Sequence, residues 1–206
     1  MTFSDFTTLT QLETQFAVKS RSAQNLFAAA PEIEISAHLQ AMLSGGKRLA
    51  VAINTEKARS EFIIAPLLME AWTICQEKHS LFSGIEFKVA PEEGLSERCD
   101  FVISASPDMM FLTAPILTIV EAKNDDIPRG FAQCGAEMIA AARFSKEQGR
   151  IFPTVYGCVT TGTEWRFLRL DDAIITIDTE DYLIANPAKI LGILVYMLQT
   201  AHETLV

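Results

Sequence analysis

The amino-acid sequence predicts an α/β protein: a mixed β-sheet with helices on its faces, preceded by an N-terminal helical arm. Three patterns predict it. Up to about residue 77, apolar residues recur at three- and four-residue steps, the period of amphipathic helices. From about residue 84 the period becomes two, or the run becomes wholly apolar, as in half-covered and fully covered strands. One small-residue-rich helical segment, 130–149, divides those strands, and another helical pattern closes the chain.

In order, Phe3, Phe6, Leu9, Leu12 and Phe16 form the apolar stripe of an N-terminal helix, and Pro31 ends that helical section. A second, short helix starts near Ser36, carries Leu39 and Leu43, and is expected to stop at Gly45-Gly46. A longer helix runs from Asn54 or Thr55 to about Glu77, and Pro66 kinks it or marks its true start. "GIEFKVA" at 84–90 alternates as a half-exposed strand, "DFVISAS" gives a second strand opening on Asp100, and 116–123 gives a third. Asp126 and Pro128 supply a cap and a first-turn proline for the next helix, which ends at Gly149. "TVYGCVTTG", "EWRFLRLDD" and "AIITID" read as three further strands, with Trp165 and Phe167 in the core. A last helix, 187–202, carries Ile190, Ile193, Leu194 and Met197. With no repeat and no Gly/Ser/Pro linker, residues 1–206 read as one domain: arm 1–53, core 54–178 and C-terminal helix 179–206.

A chain of 206 residues can bury roughly 70% of its unfolded surface, so it needs no covalent staples. Cys75, Cys99, Cys134 and Cys158 are far apart and read as reduced, buried thiols. His38, His79 and His202 are isolated, and no nucleophile-elbow or zinc-protease motif occurs. "SGGKR" at 44–48 lacks the preceding strand and first glycine of a phosphate loop and reads as a turn. No apolar run reaches the roughly 20 residues of a membrane span, and the N-terminus has no secretory pattern, so no membrane partner and a cytoplasmic location are expected. The net charge of −9 argues against non-specific coating of nucleic acid. It leaves room for a local basic groove or an enzyme that gathers carboxylates around a metal.

The informative stretch is "ILTIVEAKNDD", 116–126, where an apolar strand ends in Glu121-Ala122-Lys123. The same spacing in Glu86-Phe87-Lys88 belongs to the wet face of an alternating strand. At 121–123 the strand is apolar on nearly every position, and a period of two puts Leu117, Ile119, Glu121 and Lys123 on one face. Charges emerging from such a strand cost several kcal/mol each unless partnered. A simple internal ion pair is one reading. Neighbours support another. A hairpin would bring Asp100 beside Glu121, and two touching carboxylates raise each other's pKa unless a cation lies between them. Hard oxygen donors of this kind suit Mg²⁺ or Mn²⁺. Gln133, early on the next helix, can reach back to the strand end, and Glu61 offers a third carboxylate near Pro66.

Helix-borne Glu61, strand-borne Asp100, Glu121-x-Lys123 and then helix-borne Gln133 together resemble the PD-(D/E)XK nuclease superfamily, whose core is restriction-endonuclease-like. The resemblance covers about 54–178, and "GCVTTGTEWRFLRL" is similar to the strand-turn-strand following the core in restriction-subunit nuclease domains. Cys99 departs from the pattern, since proline often precedes the aspartate. The resemblance implies metal-dependent phosphodiester hydrolysis, most naturally of DNA. Asp100, Glu121 and the Ala122 carbonyl would hold Mg²⁺ or Mn²⁺. Lys123, an amine whose pKa falls readily on desolvation, would orient or help deprotonate the attacking water. Gln133 would position Lys123 or the phosphate, and Glu61 would touch a metal-bound water or second metal.

Lys47, Arg48, Lys57 and Arg59, with Arg129 beside the Gln133 helix, are candidates for tracking a nucleic-acid backbone; a solvated helix face is the alternative. Asp125 and Asp126 read as metal ligands or, more simply, as helix caps. The competing functional class is a catalytically silent nuclease-fold module for binding or assembly. The terminal helices suit packing on the core or a homodimer interface.

Overall fold

The computed structural model describes residues 1–23, 25–76, 78–123, 126–150 and 153–203. In chain order the strands are β1 (Lys19–Ala23), β2 (Ser80–Ala90), β3 (Leu95–Ser104), β4 (Ile116–Ala122), β5 (Thr154–Thr160), β6 (Glu164–Asp171), β7 (Ile174–Asp178) and β8 (Tyr182–Leu183). They form one mixed sheet ordered β1-β7-β6-β5-β4-β3-β2, with β8 also paired to β6. The helices are α1 (Leu9–Phe16), α2 (Ala37–Ile53), α3 (Glu56–Arg59), α4 (Ala65–Ile74), α5 (Ile127–Glu147) and α6 (Pro187–Glu203). β2, β3 and β4 pair antiparallel; α5 then crosses over so that β5 lies parallel to β4. A parallel neighbour requires such a crossover, and the small residues of α5 let it lie close on the sheet. A Cβ at Gly130 would collide with Val159 and crowd Lys123.

The sheet separates two apolar layers. Leu39, Ile63, Leu67, Ile190 and Leu194 pack on one face with Phe101, Val120, Trp165 and Phe167. Leu12, Cys134 and Met138 pack on the other with Val102, Ile119 and Val159. All four cysteines are buried free thiols. None of the described helices is long and apolar enough to cross a membrane.

Several elements differ from the sequence expectation. The N-terminal segment is not an arm. A 3₁₀ turn (Phe3–Asp5) precedes α1, Phe3, Phe6 and Leu12 are buried in the α5 layer, and β1 extends the sheet along β7. "KSRSA" has no apolar alternation, because backbone pairing to β7 and not side-chain burial makes that strand. α2 runs through Gly45-Gly46 to Ile53. A Cβ at Gly46 would strike the Phe62 carbonyl, so that glycine permits a close helix crossing instead of ending the helix. Thr55 caps α3, which continues through a π-helical turn (Ser60–Ile64) into α4, with Pro66 in the first turn of α4. β3 starts at Leu95, so Asp100 lies inside the strand and does not open it; the polar "SERC" hid five residues of pairing with β2. An irregularity between Ile103 and Ser104 breaks the alternation of the facing β4, so Leu117 packs in the opposite layer from Ile119.

Candidate active site

β4 is buried at every position and lies between β3 and β5. Phe101 pairs with Val120 and Val102 with Ile119, so one further step of the register sets Asp100 across from Glu121. The Ala122 N–H donates to Asp100 Oδ2 at 2.8 Å, fixing that carboxylate against the strand end. The Lys123 N–H donates to the Thr160 carbonyl at 2.8 Å, which holds the chain to β5 for one residue past the strand. Lys123 Nζ then turns back and donates to Glu121 Oε1 at 2.6 Å and to Gln133 Oε1 at 2.7 Å.

Gln133 is delivered by α5, whose start is set by Asp126: its Oδ1 accepts from the Arg129 N–H at 3.0 Å. Asp126 is thus a helix cap, while Asp125 lies outside the described residues. One turn beyond Gln133 the helix brings in Glu137, which is fully buried, and Gln133 Nε2 donates to Glu137 Oε1 at 3.4 Å. The second oxygens of Glu121 and Glu137 are buried and accept no N–H from any described residue.

Burial, reinforced by the Asp100 charge, pushes the Glu121 carboxyl up to about 7, despite Lys123 beside it. Burial, with Glu121 and Asp100 next, holds the Glu137 carboxyl well above the usual range. Asp100 is raised by burial, partly offset by the Ala122 N–H. A lowered Lys123 is not found. Burial, the largest single influence, pulls its ammonium down, but the Glu121 carboxylate together with Glu56 and Glu137 outweighs it and the net direction is upward.

The structure brings Asp100, Glu121, Ala122, Lys123 and Gln133 together at the strand end, while Glu61 takes no part in their hydrogen bonds and borders the cleft beside Asp100. Glu61 lies on the π turn, half exposed, in an ion pair with Lys57 at 3.0 Å. The helix carboxylate whose charge bears on both Asp100 and Lys123 is Glu56, in the first turn of α3. Both glutamates are exposed and border the cleft beside Asp100. Glu137 was also missed. Its signal is a carboxylate four residues after Gln133, set among buried Ala136, Met138 and Ala140.

A cleft of about 400 Å³ opens beside Asp100, bordered by Glu56, Lys57, Glu61, Ser83 and Arg98. Of the five basic candidates only Lys57 borders it. Arg59 is corrected: it is buried, and its guanidinium donates to the Thr161 carbonyl at 2.7 Å and to Asn54 Oδ1 at 2.9 Å, tying α3 to the β5–β6 turn. Lys47 is half-buried and Arg48 exposed on α2, and Arg129 is exposed at the start of α5. No protein-family model matches the chain, and no curated protein matches it.

Proposed function

We propose that this protein is a divalent-metal-dependent nuclease with a restriction-endonuclease-like core, acting on DNA. The observation that carries the proposal is the convergence of Asp100, Glu121, Lys123 and Gln133, from β3, the end of β4 and α5, at one point. Helix, three antiparallel strands, crossover helix and parallel strand is also the order implied by the PD-(D/E)XK resemblance.

The donor set fits a hard divalent cation: two carboxylates side by side, one with an oxygen that receives no N–H, each raised by burial. Asp100 and Glu121, with the Ala122 carbonyl, would hold Mg²⁺ or Mn²⁺, which would supply a bound water of lowered pKa and countercharge for the transition state. The protein's own groups supply the positioning. Asp100 is kept in place by the Ala122 N–H, and Lys123 by Glu121 and Gln133. The third N–H of Lys123 is left to orient a water or hold a phosphate oxygen. The neighbouring cleft, with Lys57 and Arg98, offers the strand a way in.

The test is cleavage of supercoiled, linear and single-stranded DNA, and of RNA, with Mg²⁺ or Mn²⁺. Glu121→Ala and Lys123→Ala are expected to lose about 10³-fold or more in rate while retaining the wild-type circular dichroism spectrum. No metal-dependent cutting of any substrate by the wild type would overturn the proposal. The closed Lys123–Glu121 pair and the acidic surface favour a second reading, a silent nuclease-fold module for binding or assembly, alone or as a homodimer. Calorimetry with Mn²⁺ separates the two: heat that vanishes in Asp100→Ala and Glu121→Ala supports the enzyme, and no heat supports the module.

A further inference from the structure

Four side chains are joined in series at the end of β4. Lys123 Nζ donates to Glu121 Oε1 and to Gln133 Oε1, and Gln133 Nε2 donates to Glu137 Oε1. Two features of the series are unequal. An ammonium only donates, so Gln133 must turn its oxygen toward Lys123 and its NH₂ the other way. In that direction, inside the α5 layer, Glu137 is the acceptor. Glu137 is 0% exposed and Gln133 8%, so no bulk water stands in for either partner.

Packing does not account for a carboxyl group there. The neighbours of Glu137 along α5 are Cys134, Ala136, Met138, Ala140 and Ala141, all buried, and an apolar residue of similar size would avoid the desolvation cost. We infer that Glu137 is a positioning residue: it fixes the orientation of the Gln133 amide and, through Gln133, the place of the Lys123 ammonium. Without it the Gln133 NH₂ is left buried with no acceptor. The amide is then free to rotate, and one of its two orientations sets NH₂ against the ammonium. The inference rests on the nuclease reading for its kinetic consequence, but not for its geometry.

Two substitutions test it. Glu137→Leu keeps the approximate volume and removes every polar atom. Glu137→Gln keeps an oxygen to accept from Gln133, so the series survives without a carboxyl group. If the inference holds, Glu137→Leu folds, keeps KM and loses on the order of 10- to 100-fold in kcat, as outer partners of a reactive site commonly do. Glu137→Gln then recovers most of that loss. An unchanged kcat in Glu137→Leu would overturn the inference, and so would equal damage in both variants. A second measurement needs no cleavage. The side-chain NH₂ signals of Gln133 in metal-free protein should exchange slowly with water in the wild type and Glu137→Gln, and quickly in Glu137→Leu. If the wild type cuts nothing, the nuclease reading falls, yet the amide signals still decide the role of Glu137; equal exchange in all three proteins would dismiss it.

Discussion

Glu-x-Lys occurs twice in this chain, at Glu86-Phe87-Lys88 on β2 and at Glu121-Ala122-Lys123 at the end of β4. Both pairs are closed, at 2.9 Å and 2.6 Å. On β2 the glutamate side chain is 62% exposed and the lysine 61%. On β4 they are 4% and 17% exposed. The hydrogen bond from Lys88 lowers the Glu86 carboxyl below its ordinary range, whereas burial raises Glu121 to about 7 although its lysine is nearer. Contact is common to the two pairs; removal from water is what separates them. A pair in water keeps both charges and does little. A pair inside a sheet, with a second and third carboxylate beside it, holds its proton more tightly.

The largest difference should appear when the lysines are removed. Lys123→Ala leaves Glu121 buried beside Asp100 without its cation and should cost roughly 3 kcal/mol, the low end of the range for a broken buried pair, because Glu121 can take up a proton. Lys88→Ala should leave stability unchanged within error. Urea unfolding of the two variants measures both, and equal costs would erase the distinction.

The pH dependence should differ in sign. Glu121 has an ordinary value of 4.5 unfolded and about 7 folded, so the folded state binds its proton more tightly. Its contribution is therefore full below pH 4.5 and is lost as the pH rises through about 7. A Glu121→Gln variant should flatten the decline in urea midpoint across that window. Glu86, lowered on folding, acts oppositely: its contribution is present above its unfolded value and fades as the pH falls through the folded one. By the same linkage Mn²⁺ should bind more tightly as the pH rises toward about 7, releasing protons that calorimetry in buffers of different ionisation heat detects. Binding that ignores pH would place the ion elsewhere.

The smallest effect is that of salt. In 1 M NaCl the Glu86 carboxyl should move back toward its ordinary value, because an exposed pair is screened, while Glu121 should hardly move. Side-chain carboxyl carbon shifts followed by NMR during a pH titration read both groups in one sample. Equal salt sensitivity would mean that Glu121 is hydrated.

The sequence by itself determined the α/β class, the main strands and helices from Asn54 onward though not their bounds or β8, and the place of the charged strand end, because hydrophobic period reports burial directly. It also singled out Asp100, Glu121, Lys123 and Gln133, since charges at the end of a wholly apolar strand need partners nearby in the fold. Only the tertiary structure decided the rest. It drew the N-terminal segment into the sheet and carried α2 through its glycines, because backbone pairing and close helix crossing leave no periodic trace in the side chains. It turned Arg59 inward and placed Glu137 beneath the site, because helix rotation and the distances between elements fix which residues meet.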